Sequence, residues 1–384
     1  RVERQRLRWD ILDDFARAAQ ETGIPASEDF NTGDNEGVGY FKVNQRGGWR
    51  ESLAKAFLRP AMKRPNLTVW TGVHVRRVVF EGSRAVGLDL MRDNAPESVR
   101  ARAEVILSAG AIGSAQILQL SGIGPGALLQ KMGIELRRDA PVGENLQDHL
   151  QIRCAYKVDG AKTLNQMAGN LLGKARIGLE YALFRRGPMS MAPSQLGAFA
   201  RSSPEVATPD LEYHVQPLSL DAFGGALHPF PAITASVCHL RPESRGHVRI
   251  TSPDAMQAPE IAPNYLSTEG DRLTAARAIR LTRRIMAAGP MARYRPEEFK
   301  PGPGGDSDAE LAEAAGRIAS TIFHPVGTVR MGGDGAVLDP QLRLRGVEGL
   351  RVADASIMPA ITSGNTNAPT VMIAEKAAAM ILKK

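Results

Sequence analysis

Cysteine is nearly absent from this 384-residue chain, with Cys154 and Cys238 the only two. That number cannot build a disulfide framework or a metal cluster, and the expectation is two buried thiols in a reducing, cytoplasmic setting. Aromatic residues make up only 5% of the chain. The formal charge of +7 is spread over Lys and Arg interspersed with acids, so neither a basic stripe nor a stacking surface for nucleic acid is present. No apolar run approaches the length of a membrane span and no signal peptide opens the chain. Peripheral contact with a membrane stays open. The familiar catalytic and nucleotide signatures are missing too. There is no P-loop, no Gly-x-Ser-x-Gly elbow, no His-Glu-x-x-His and no Cys pair at metal spacing, so metal catalysis is not expected. No Gly-x-Gly-x-x-Gly opens a helix after a strand. The run from Gly122 to Gly126 follows a helix instead, and Pro125 would block the helix start that motif needs.

What remains is an ordinary globular composition, 43% hydrophobic and 23% charged, long enough for two domains or one large two-part unit. Leu7 to Glu21 reads as an amphipathic helix, with Gly23 and Pro25 as its stop. A Gly/Asn/Asp loop (29–39) and a short helix (51–58) follow. Strands are expected at 67–70, 73–80 and 85–90, and the segment 99–107 is expected to end in an apolar strand at 105–107. The last of these runs into Ser108-Ala-Gly-Ala-Ile-Gly113 and a helix from Ser114. Strand, glycine turn and helix together offer free backbone N–H groups and a positive dipole end to an anion, although many α/β proteins use such a turn structurally. Pro141 to His149 is a polar loop that marks the exit from a first domain. Alternating patterns at 211–218, 233–240 and 247–251 predict an antiparallel sheet with one covered face and one polar face able to wall a cavity. A long helix (270–288), an alanine-rich helix ending at Ile318 and a helical tail complete an α/β, mixed α+β chain. The expected domains are 1–150, 151–319 and a return to the first over 320–384.

The densest polar chemistry lies from Thr321 to Leu382. His324 sits before a proline, Asp354 is flanked by Val352, Ala353 and Ile357, and Asn365 and Asn367 follow Ser363-Gly364. A lone histidine before proline is more often structural than catalytic, and Asp354 could be a simple Asx turn. Yet a charge in so apolar a setting needs partners, and imidazole is the side chain that titrates near neutrality. The other histidines have the bland reading. His149 is expected to hydrogen-bond within its own loop, and His214 and His239 to sit on sheet strands.

Gly110 to Gly124, Val142 to His149, His324-Pro-Val-Gly-Thr328, Val352-Ala-Asp-Ala-Ser356 and Ser363-Gly-Asn-Thr-Asn-Ala-Pro-Thr370 resemble, in order, segments of the glucose-methanol-choline flavoprotein oxidoreductases. The wording is nearest that of bacterial choline and alcohol dehydrogenase members. The resemblance implies a partial FAD-binding, Rossmann-like domain and a substrate domain with an antiparallel sheet flanked by helices. It implies FAD as cofactor, with Val75 and Ser108, Ala109 and Gly110 on its adenosine side, Asp354 and Ala355 at the ribityl-pyrophosphate, and Phe323 and Asn367 beside the flavin ring. It further implies His324 as the base that removes a hydroxyl proton while hydride passes to flavin, with Asn365 as its partner at the same oxygen. The activity implied is oxidation of choline or another primary alcohol to an aldehyde, with oxygen or a quinone as electron acceptor. The family's N-terminal flavin fingerprint has no counterpart here, so the chain is expected to be a fragment that binds FAD poorly as given. A flavin-containing lyase of the same fold and an inactive interaction module stand as alternatives.

Overall fold

The computed structural model describes residues 1–222 and 224–383, and they divide into two units. The first comprises Arg1–Val69, Leu150–Leu240 and Glu269–Ser320. Its centre is an antiparallel sheet in the order Glu297–Lys300, Leu150–Lys157, Ala232–His239, Leu211–Gln216, Leu196–Ala200, Gly37–Tyr40. The period-two alternation along Leu211–Gln216 sends Leu211, Tyr213 and Val215 to one face, where the Tyr213 hydroxyl meets Thr282 Oγ1 (3.1 Å) on the Glu269–Ala287 helix. The opposite face, expected to be polar and open, is polar but buried. Glu212, His214 and Gln216 are all covered, and the Phe41 ring stacks on His214 at 5.3 Å. Glu212, His214 and Cys238 bring their ligand-capable atoms within 4.8 Å of one another. Both cysteines are buried and outside any disulfide, as the composition implied.

Three corrections follow from strand pairing. The first 69 residues do not belong with residues 70–149, because Gly37–Tyr40 extends the edge of the large sheet through Leu196–Ala200. The strand expected at 247–251 is not part of that sheet. Gly246–Arg249 instead joins Glu144–Leu146 and Glu260–Ala262 in a separate three-stranded sheet, which carries 241–268 into the second unit. Residues 67–70 form no strand, whereas Val105–Leu107 is a strand with the bounds expected. One further helix, Leu171–Phe184, went unanticipated because its apolar residues lie all round it. Leu171, Leu172, Leu179 and Leu183 are exposed, so no inward stripe marks it.

The second unit comprises Trp70–His149, Arg241–Thr268 and Thr321–Lys384. A three-stranded meander (Val73–Glu81, Arg84–Arg92, Ala95–Arg100) leads to Val105–Leu107, which pairs in parallel with Leu350–Val352. The Gly110–Leu120 helix begins four residues earlier than Ser114, directly off the glycine turn. Its buried Gln119 stitches three segments together. The amide nitrogen donates to the Val142 and Val248 carbonyls, and the oxygen accepts from Ile250 N–H, each at 2.9 Å. Leu118, Ile123, Leu146, Val248, Val326, Leu338, Leu350 and Val352 share one core. A Leu118→Ala substitution should therefore lower stability by about 2–5 kcal/mol. Leu171→Ala, at a side chain 83% exposed, should change it by less than about 0.5 kcal/mol. Urea titrations of the two variants check the contrast.

Candidate active site

The site is built where two loops of the second unit lie against each other. The Ile322 N–H donates to the His149 carbonyl (3.2 Å), and Gln147 and Val326 exchange backbone hydrogen bonds of 3.1 and 2.9 Å. This short antiparallel ladder joins residues about 175 positions apart. Asp148, between its rungs, accepts from the His324 backbone N–H (2.9 Å) through Oδ1 and from the Tyr265 and Thr321 hydroxyls through Oδ2. Burial, reinforced by the Asp148 carboxylate, pushes the Tyr265 phenol well above its usual range, so Tyr265 remains a donor. Asn145 and Gln147 complete the clamp. Their amides donate to the carbonyls of Gly327 and Pro359, and Gln147 Oε1 accepts from Ile361 N–H.

Fixed in this way, His324 is buried with its two ring nitrogens both engaged. Nε2 lies 3.3 Å from Asn365 Nδ2, and Nδ1 lies 3.1 Å from Nδ1 of His149. The two imidazoles meet edge-on, with centroids 5.3 Å apart at 83°. The structure thus brings together His324 and Asn365, which the sequence had put forward, and adds His149 and Asp148. His149, which the sequence reading confined to its own loop, reaches across to His324. Phe323, beside His324, is 65% exposed and held at φ +65°, a conformation costly for an aromatic residue. Its N–H donates to Thr321 Oγ1 at 2.8 Å. Asn365 and Asn367 are both exposed, the second opening the tail helix Asn367–Leu382.

The residues expected to touch the cofactor divide into two kinds. Ser108 and Ala109 are exposed on the turn after Val105–Leu107, and a side chain added at Gly110, at φ +78°, would meet nothing. A Cβ at Gly113 would meet only the Ala109 methyl. Small residues, open space and the start of an eleven-residue helix fit the close approach of an anionic or flat group. Asp354 is different. Its Oδ2 accepts from Gly110 N–H (2.9 Å) and the Ser114 hydroxyl, and its Oδ1 accepts from Ser356 N–H (2.8 Å) and the Ser356 hydroxyl. Four donors occupy a carboxylate with about four lone-pair sites. Asp354 therefore ties the 108–110 turn to the 354–356 turn and bears on any ligand through the backbone it fixes. Ala355 is half-buried, its carbonyl accepting from Gly327 N–H (3.3 Å), and Val75 packs half-buried against the same core.

Comparison with known proteins places the chain in a family. Two family models, both described as GMC oxidoreductase, match residues 4–151 and 242–374. The chain belongs to the GMC oxidoreductase family. Over 96% of its length it is 41% identical to an alcohol dehydrogenase [acceptor] of Pseudomonas putida and 41% identical to an oxygen-dependent choline dehydrogenase of Photobacterium profundum. It covers 68% and 65% of those proteins, so it spans about two thirds of the curated relatives it matches. Among solved structures, pyridoxine 4-oxidase from Mesorbium loti superposes with a TM-score of 0.86 at 31% identity, covering 97% of this chain and 70% of that one. GMC oxidoreductases are FAD-dependent, and the open, small-residue turn at Ser108–Gly110 fits one side of that cofactor.

Because the Asp354 carboxylate satisfies four donors at once, Asp354→Ala should strand buried N–H and hydroxyl groups and destabilise the protein by roughly 3 kcal/mol or more. Chemical denaturation measures this. An unchanged unfolding midpoint would show that the two turns hold without it.

Proposed function

We propose that this protein oxidises the hydroxyl of a small alcohol, choline or another primary alcohol, to the aldehyde. The observation that carries the reading is the convergence of His324 Nε2 and the Asn365 amide, 3.3 Å apart and 41 residues apart in sequence. A neutral alcohol is a poor hydride donor, and an alkoxide is a good one, so the chemistry needs a base at the hydroxyl. His324 Nε2 takes that proton. Asn365, which carries no titratable group, hydrogen-bonds the same oxygen and orients it without competing for the proton. FAD, when bound, supplies the hydride acceptor. The exposed Phe323 ring and Asn367 lie close in sequence to His324 and Asn365 and would shape the flavin side of the site. Ser108, Ala109 and Gly110 would hold the cofactor through backbone groups, with Asp354 and Ala355 fixing the facing turn and Val75 the adenine side.

The relatives described above are dehydrogenases and an oxidase, which supports redox use of the flavin over the lyase alternative. The electron acceptor is left unassigned. Among the described residues no helix is long and apolar enough to cross a membrane.

Anaerobic mixing of the FAD-loaded protein with its alcohol should bleach the flavin absorbance, and His324→Ala should slow that bleaching by about 10²- to 10⁴-fold. Asn365→Ala should slow it less while His324 still takes the proton. Undiminished reduction in the His324 variant would remove it from the role of base. A bound flavin that no alcohol reduces would instead favour the lyase reading.

A further inference from the structure

The structure assigns His149 the task of setting which nitrogen of His324 carries the proton. The assignment deepens the proposed function and rests on His324 being the base, but its geometry stands apart from any activity. Two imidazole Nδ1 atoms 3.1 Å apart cannot both present lone pairs, nor can both present N–H groups, so one donates and the other accepts. The other end of His324 decides which. Its Nε2 faces an amide nitrogen, Asn365 Nδ2. An amide nitrogen can only donate, so Nε2 holds the lone pair. In neutral His324 the proton is then on Nδ1, which donates to His149 Nδ1, and His149 carries its own proton on Nε2.

This is the form of His324 that can act as a base toward an alcohol. With the opposite polarity, His149 would donate to His324 and force the proton onto Nε2, leaving no lone pair where the substrate oxygen has to bind. The hydrogen bond also survives the reaction. After Nε2 takes the hydroxyl proton, Nδ1–H still points at His149, now as a charge-assisted donor, which is a stronger bond. His149 is well suited to hold this polarity because it is wholly buried and its own carbonyl is a rung of the ladder to Ile322. It touches neither alcohol nor cofactor in this scheme, so it is a positioning residue, comparable in logic to the group that orients a catalytic histidine in a triad. Asp148, on the His324 N–H, and Tyr265, on Asp148, are titratable groups beside the pair.

Nitrogen-15 NMR of the FAD-loaded protein labelled at histidine reads the tautomers directly, without turnover. The expected result is a pyridine-type Nε2 and a protonated Nδ1 for His324, and a pyridine-type Nδ1 for His149. Resonances are assigned through His324→Gln and His149→Asn. His149→Asn places an amide oxygen close to the lost Nδ1 and should keep the His324 tautomer and most of the flavin-reduction rate. His149→Phe removes the acceptor. It should move the His324 proton toward Nε2 and lower the limiting rate on the order of 10²-fold with little change in KM. A His324 whose neutral wild-type form carries its proton on Nε2, with the Asn365 amide turned over, would overturn the assignment. So would a His149→Phe protein that keeps the Nδ1-protonated form. The wild-type spectrum decides even where a variant fails to fold. Tautomers as assigned, combined with an unaffected rate in His324→Ala, would sink the base and leave the tautomer assignment standing.

Discussion

The candidate active site of this protein depends on one short ladder, the pairing of Gln147–His149 with Ile322–Val326. The groups proposed to meet the alcohol hang from it. The rungs on either side fix the backbone of His324, and Asp148 takes its N–H. His149 meets the ring from the opposing strand, while Asn145 and Gln147 hold the chain that leads on toward Asn365. Because the ladder is made of backbone hydrogen bonds and the short side chains around it bond largely to backbone groups, the site is positioned by the path of the chain rather than by long, flexible side chains. Such positioning is what a base needs if it must meet a hydroxyl within a few tenths of an ångström. The positive φ of Phe323 belongs to the same construction. A bend between two rungs places His324 inward and leaves the phenyl ring outward, and the surrounding hydrogen bonds hold that strained backbone in place.

Asp354 repeats the device on the cofactor side. Val105–Leu107 and Leu350–Val352 run parallel and in register, so their carboxyl ends leave the pair on the same edge. In α/β sheets that edge is where ligands bind. The turns that follow, 108–110 and 354–356, are then joined by a single carboxylate accepting from both. The acids of this region, Asp148 and Asp354, thus act on the chemistry indirectly. Each is saturated by donors and turns its charge into fixed backbone.

How much of this could be read in advance follows the physics of each element. The Asp10–Glu21 and Glu269–Ala287 helices were legible because each buries one stripe, and their boundaries lay within three residues of expectation. His324, Asn365 and the Ser108–Gly110 turn were legible because ordered motifs surround them. The membership of the first 69 residues was not, since it depends on the Gly37–Tyr40 strand finding the edge at Leu196–Ala200 far along the chain. The roles of Asp148 and His149 were hidden for the same reason. A run of hydrogen-bonding side chains such as Glu144 to His149 gives no local sign of which member turns toward a partner 175 positions away. The polar face of the large sheet misled differently. Alternation reports two faces of different chemistry, and Glu212 and His214 show that the polar one can be buried too.

The choice of an imidazole rather than a carboxylate against His324 Nδ1 has its own electrostatic reason. The 147–149 loop already holds the Asp148 charge, committed to the His324 N–H and to two hydroxyls. A second carboxylate at position 149 would set two like charges in one buried loop, raising the pKa of one of them. A neutral acceptor fixes the tautomer while adding no net charge. General-base catalysis near neutral pH is most effective with a side chain whose ordinary range lies there, and imidazole is that side chain. A buried histidine is therefore the orienting group that can aim the lone pair of His324 without neutralising it.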